Sequence, residues 1–296
     1  MKTTRAARER RRRLATTITV ASLVSGIVGL ATQLPASSHD TLLPDASMTP
    51  QARLTAAAPS LKSLLQDYVK RRDGAASVAV FDGVADKLLV IHPSYRGRTA
   101  SIVKADILET LLHRTHGHLT HSERVMATAM IEHSDNDAAT DLYAYDGGAA
   151  GVKAYNDGVG LAHTSPKVDW GLTKTSAPDQ VLLVRELLHH NKELTNKARH
   201  FQRHLMLNVE ADQRWGISAG VPDDAVVGNK NGWVPVHRDH ERWAVNSIGW
   251  VRGEGKRYEI AVLTQHNASE HYGIHTIEHI AGLVWSHMTV DEDTTS

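Results

Sequence analysis

Three short stretches hold side chains that could do nucleophilic chemistry together. The first is Ser101-Ile-Val-Lys104, inside TASIVKADIL. If a helix starts here, residues three apart share one of its faces, so the serine oxygen and the lysine amine lie on one side. A serine hydroxyl is a poor nucleophile at neutral pH. A lysine can serve as its base once burial or a second cation has lowered its pKa. Free N–H groups at a helix start also favour negative charge developing there. The same four residues could equally be a capping serine followed by a solvated lysine. The second stretch is Ser134-Asp135-Asn136, between two helical runs. It offers another hydroxyl, able to pass a proton to a leaving nitrogen, and an amide able to hold a substrate amide; as a plain helix start it would only cap. The third is Lys230-Asn231-Gly232 on an expected strand. Lysine there would attract a carboxylate and depress the pKa of a nearby amine, and a glycine within a strand suggests close approach of another backbone or a ligand. A hairpin turn at Asn-Gly is the alternative.

The rest of the chain must supply elements that bring these stretches together. Its 296 residues, 41% hydrophobic and 22% charged, suit one large core or two closely packed lobes. The chain has no cysteine, which excludes disulfides, thiolate metal sites and a lipidated N-terminal cysteine. Its formal charge is zero but unevenly spread. Residues 1–13 carry seven Lys/Arg and one Glu, leaving the remainder acidic, which argues against a nucleic-acid partner. Leu14 to Leu34 carries no charge and leads to the small residues Ala36-Ser37-Ser38. Basic, then apolar, then small is the order of a secretory leader or an N-terminal anchor, and either would put the remainder outside the cytoplasm. The expected organisation is therefore a leader or anchor at 1–38, a linker at 39–50, a folded domain at 51–288 and a solvated tail at 289–296.

Within the folded part, apolar Leu54, Leu61, Leu64, Leu65 and Val69 give 51–71 a helical period. ASVAVFDGVADKLLVIHP reads as two strands around Asp82-Gly83. A long helical stretch runs from Ser101 past Phe201, broken at RTHGHLTHSE, HSDND, DGVG and TSPKVDWG. AVVGNKNGWV, RWAVNSIGWVRGEG and YEIAVLTQ read as three more strands, and 270–288 as a final helix. The economical α+β solution is one five-stranded antiparallel sheet built from both ends of the chain. The N- and C-terminal helices cover it, and an all-helical lobe, about 101–215, is inserted between strands 2 and 3. A cleft forms where lobe meets sheet, and sites favour such junctions.

In this order and on these elements, the three stretches resemble the S-x-x-K, S-D-N and K-T-G set of the penicillin-recognising serine hydrolases, the class A β-lactamases and penicillin-binding D,D-peptidases. LTHSERVMATAMIEHSDNDAATDLY resembles the family's helix–SDN–helix segment, and TKTSAPDQVLLVRELL its TTTPA helix start. The resemblance implies that Ser101 attacks a carbonyl and is acylated, with Lys104 as general base or part of its relay. It implies that Ser134 protonates the leaving nitrogen, Asn136 orients a substrate amide, and Lys230, Asn231 and Gly232 bind the substrate side carrying a carboxylate. The N–H groups of Ser101 and Trp233 would form an oxyanion hole, worth a few kcal/mol. It further implies β-lactams or peptidoglycan-like acyl-D-amino peptides as substrates, a monomer, and no metal or organic cofactor. Membrane contact would come only through an uncleaved N-terminal segment.

Three departures accompany the resemblance. Ser101 and Ser134 are only 33 positions apart, shorter than in class A enzymes. Asn231 replaces the usual Thr or Ser. The region GVGLAHTSPKVDWGLTKTSAPDQ contains no glutamate where class A enzymes keep the one that activates the deacylating water, and Asp169 is the nearest carboxylate. Slow deacylation is therefore expected, and a non-catalytic cell-wall or ligand-binding module on the same fold is the alternative. The 19 histidines offer a weaker theme: His113, His116, His118 and His121 cluster in sequence, and His275–His279 matches H-x-x-E-H. Surface or partly buried histidines are the expectation there. Trp215 and Trp233 are the tryptophans expected to line the cleft.

Overall fold

The computed structural model describes residues 59–291. The expected leader or anchor at 1–38, the expected linker at 39–50 and most of the expected tail thus lie outside the described residues. α1 (Leu61–Lys70) starts at Ser60, whose hydroxyl accepts from the N–H of Ser63 at 3.2 Å. Two antiparallel strands follow, β1 (Ala75–Asp82) and β2 (Lys87–Ile91), paired from Val78↔Ile91 to Asp82↔Lys87 across a loop that begins at the anticipated Gly83. The last three long strands are β5 (Val226–Val236), β6 (Arg242–Gly253) and β7 (Lys256–Asn267). All five make one antiparallel sheet in the order β2-β1-β7-β6-β5, so the N-terminal hairpin docks on the last strand. The sheet and its terminal helices are as the sequence implies, save that the start of the first helix expected at 51–71, with Leu54, lies outside the described residues.

Both faces of the sheet are buried, and alternation along each strand divides the core in two. Val78 and Val80 of β1, with Ile260 and Val262 of β7, meet Leu65 and Val69 of α1 and Ile277, Ile280 and Val284 of α8 (Glu270–His287). Ala79, Ala261 and Leu263 point the other way into the second cluster. This inner face receives α6 (Ala177–Leu188), which packs on β1, β6 and β7.

Between β2 and β5 lie α2 (Val103–Arg114), α3 (His121–Glu132), α4 (Asn136–Tyr145), α5 (Gly148–Val159), α6 and α7 (Asn196–Leu207). A small ladder, β3 (Gly97–Arg98) with β4 (Lys174–Thr175), was not anticipated; at two residues per strand it has no readable period. α2 is the axis of this lobe. Every residue from Val103 to Leu112 is buried, so its polar side chains are buried by position and not by hydropathy.

Candidate active site

Ser101 stands at the entrance of α2. Its approach is fixed from several directions. The Thr99 N–H donates to Thr173 O at 2.8 Å, and the Asn246 amide of β6 donates to the carbonyls of Arg98 and Thr99 at 2.8 and 3.0 Å. Ala100 then takes a φ of 46°, a left-handed conformation that costs energy for a residue with a Cβ. A 3₁₀ turn, Ala100–Ile102, leads into α2. Neither this turn nor α2 is capped by a side chain, so Ser101 is no capping serine; its half-buried side chain borders the cleft instead. Gly232 of β5 lies against the same turn. A Cβ there would come 2.6 Å from the N atoms of both Ser101 and Ile102. The strand glycine thus marks close approach of a second backbone, and no hairpin turn forms at Asn231-Gly232.

The second hydroxyl is freed in a similar way. Asp135, not Ser134, caps α4 by accepting from the Ala138 N–H at 2.7 Å. Ser134, with φ 53°, and Asn136 flank that cap and face the cleft. Beneath them lie two lysines with no exposed surface. Lys104 Nζ donates to Ser134 O at 2.6 Å, Ser134 Oγ at 3.1 Å and Asn136 Oδ1 at 2.7 Å. Lys230 Nζ reaches the same Ser134 Oγ at 3.0 Å, with Asn231 O at 3.1 Å and Gln213 Oε1 at 3.4 Å. One hydroxyl therefore sits between two amines.

Neither amine forms an ion pair with a carboxylate among the described residues. Burial lowers the Lys104 pKa to about 8, with the Asp135 charge opposing it. Burial and then the neighbouring Lys104 charge push Lys230 well below its ordinary value. With three acceptors around it, Lys104 is arranged as an ammonium, and the Ser101 hydroxyl is not one of those acceptors. The indole of Trp170, in the 3₁₀ turn Trp170–Leu172, lies 5.1 Å from this amine and is held by Thr140 Oγ1 at 3.1 Å.

The cleft above these groups is a cavity of about 490 Å³ bordered by Ser101, Ser134, Asn136, Gln213, Trp215 and Trp233, with His133, Asp212, Glu270 and Ile274 at its edges. Both expected tryptophans are present, edge to face at 5.7 Å. Asn231 departs from expectation. It is buried, and its amide donates to the carbonyls of Gln213 and Trp215 at 2.8 and 3.1 Å. Its donors hold the cleft wall, so they are not open to a substrate carboxylate. Gln213 and Asn246 were not singled out from sequence. A buried Asn within an apolar strand is the one signal that could have flagged Asn246; Gln213 belongs to no motif.

Asp169 lies with Ser101, Asn136, Trp170 and Trp233 around a second opening of the cleft, and its carboxylate accepts from the Gly171 N–H at 3.2 Å. The H-x-x-E-H histidines do not act as a pair. The ring of His279 stacks on Tyr68 with centroids 4.1 Å apart, while His275 contacts His271. Among the described residues, no three His, Asp or Glu side chains come close enough together to hold a metal ion.

A five-stranded antiparallel sheet with a helical insertion, and a serine-lysine cleft at their junction, define the penicillin-recognising serine hydrolase class. The structure superposes on the TLA-1 extended-spectrum β-lactamase with a TM-score of 0.69 at 18% identity, covering 77% of this chain and 97% of that one. A β-lactamase from Chitinophaga pinensis gives 0.68 at 18% identity, with 76% and 98% covered. A protein named PBP-A gives 0.67 at 20% identity, with 76% and 94% covered. Comparison with curated protein sequences finds no match. The model of the β-lactamase enzyme family matches residues 110–288, more than half of the sequence, and the chain belongs to that family. The matched stretch includes Ser134–Asn136 and Lys230–Trp233 and begins just after Ser101–Lys104.

Proposed function

We propose that the chain is an exported serine hydrolase, acylated at Ser101 by β-lactams or by acyl-D-amino peptides of the cell-wall type, and that it releases the acyl group slowly. One observation carries this reading: a single hydroxyl, Ser134 Oγ, accepts from Lys104 at 3.1 Å and Lys230 at 3.0 Å at the edge of a cavity that Ser101 also borders. Ser101 Oγ bonds to the substrate carbonyl carbon, and its proton passes to Lys104 in the free-amine form. The carbonyl C–N bond then breaks, and the nitrogen takes the Ser134 proton, which Lys104 replaces. The oxyanion is met by the N–H groups of Ser101 and Trp233. β5 is an edge strand, so one row of its N–H groups has no strand partner. The amide of Asn136, whose oxygen is engaged by Lys104, offers its nitrogen to the substrate. Lys230 supplies the field that attracts a substrate carboxylate. Asn231 and Gly232 act on the cleft wall and on the placement of Ser101.

Slow release rests on the region before α6. Trp170 faces the Lys104 amine there, and one oxygen of the Asp169 carboxylate accepts from the Gly171 N–H of its own turn. The stretch 158–180 offers no glutamate to activate water against an ester at Ser101, and the other carboxylates bordering the cleft among the described residues, Asp212 and Glu270, come from other segments. Export rests on the sequence pattern of residues 1–38, with the linker at 39–50 and a monomeric hydrolase domain at 51–288. Among the described residues no helix is long and apolar enough to cross a membrane.

Intact-mass measurement of the chain with benzylpenicillin tests the reading. The expected result is one adduct of intact penicillin mass that persists for minutes and is absent in Ser101→Ala. Absence of any adduct or turnover with the unmodified chain would replace acylation with the binding-module reading. Fast hydrolysis without a persisting adduct would overturn slow release alone.

A further inference from the structure

The first turns of α8 read Glu270-His271-Tyr-Gly-Ile-His275-Thr-Ile-Glu278-His279. His271 and His275, four apart and both exposed, stand one above the other on the helix. Their Nε2 atoms are 2.8 Å apart, with ring centroids at 4.1 Å and planes at 76°. Such a contact needs one Nε2 to carry a hydrogen and the other to be bare. The Glu278 carboxylate favours one of the two choices. Its Oε2 lies 3.3 Å from Nδ1 of His275, where it favours the ring proton on that nitrogen. His275 Nε2 is then the bare acceptor and His271 Nε2 the donor.

An imidazole with a carboxylate behind it and its free nitrogen aimed at a second imidazole is the arrangement of a metal-binding histidine pair. With Zn–N bonds of about 2.0–2.1 Å, two donors are about 2.9 Å apart at a right angle and about 3.4 Å apart at the tetrahedral angle. The observed spacing lies within a few tenths of an ångström of that range, and exposed side chains can adjust. We propose that His271 and His275 form a two-imidazole site for a divalent transition ion of the Zn²⁺, Ni²⁺ or Cu²⁺ type, with Glu278 as positioning residue. The ion takes the place of the shared hydrogen, and His271 moves that proton to its Nδ1. The neutral pair loses no proton. Since no third His, Asp or Glu joins them among the described residues, water fills the other coordination positions. The site lies one residue, about 100°, round the helix from Glu270 and Ile274, which border the cleft. The ion therefore binds beside the cleft mouth.

Calorimetric titration of the untagged chain with NiCl₂ and with CuCl₂ tests the site, with Cu²⁺ expected to bind more tightly. His271→Ala and His275→Ala should each lose one binding event that His279→Ala keeps. Glu278→Gln should weaken that event about tenfold or more. Circular dichroism of the variants checks that helix α8 is intact. No binding by the unmodified chain, or an unchanged number of sites and affinity in either His271→Ala or His275→Ala, would overturn the two-imidazole site. An unchanged affinity in Glu278→Gln would remove Glu278 from it.

Discussion

Helix α2 buries charge toward two different surroundings. Near its start, Lys104 lies beneath the cleft and meets Ser134 and Asn136. Two and five residues on, Asp106 and Glu109 face the interior of the lobe. There Asn156 Nδ2 donates to Asp106 at 3.0 Å and Tyr155 OH to Glu109 at 2.9 Å. Burial drives all three toward their neutral forms: Lys104 down to about 8, Asp106 up to about 7, and Glu109 well up. The consequences differ. A neutral lysine at the cleft is a base with a lone pair to use on a nearby hydroxyl. A neutral carboxyl in the lobe gains a hydrogen to donate, which suits Asp106 Oδ1 and Asn156 Oδ1, two buried oxygens with no partner among the described residues. The same desolvation thus prepares chemistry at one end of the helix and polar packing further along it.

Lys104→Met is the most damaging test of this contrast. Removing the base should slow acylation by about 10²- to 10⁴-fold, measured as adduct formation over time. The fold should not suffer in proportion, because the substitution also removes a buried amine without a carboxylate partner. A thermal midpoint that falls as steeply as the activity would erase the distinction between the two ends of α2.

The pH dependence sharpens it further. Acylation requires the free amine, so its rate should rise with pH through about 8, where Lys104 loses its proton. A rate that is flat from pH 6 to 9 would assign the base elsewhere. The stability of the lobe should run the opposite way at lower pH. The folded state holds the Asp106 proton up to about 7, whereas the unfolded chain releases it near the ordinary carboxylate value. Stability contributed by the protonated group is therefore complete below the unfolded pKa and declines as pH rises to about 7. Asp106→Asn should flatten that slope and raise stability at pH 8, with a ceiling of about 4 kcal/mol. Chemical denaturation at pH 5 and pH 8 measures both, and an unchanged slope in the variant would sink the assignment.

Much of the fold was readable because its signals are local. The β-branched and apolar runs of β1 and β7, the Asp82-Gly83 turn and the apolar stripe of α1 are each set by neighbours in sequence. The candidate site was legible as three separate motifs, since each carries its own residue types. What joins them was not readable. The use of Asn231 as a wall support, the grip of Asn246 on the strand before the nucleophile, and the seat of Trp170 over Lys104 depend on partners from distant segments. No period or propensity encodes those partners. Likewise the histidine spacing at 275–279 matched a motif, yet stacking on Tyr68 draws His279 away and leaves His271 as the neighbour of His275.

The contact between Gly232 and the turn at Ser101 has one more consequence. The main chain of Ser101, the proposed nucleophile, is seated against a strand more than a hundred residues away in sequence, and its entrance is tied to Asn246. Its coordinates are thus inherited from the sheet. The connecting helices are free to lengthen or shrink between the two serines without moving the Ser101 main chain, which accounts for a segment this short still bringing Ser134 to the cleft that Ser101 borders.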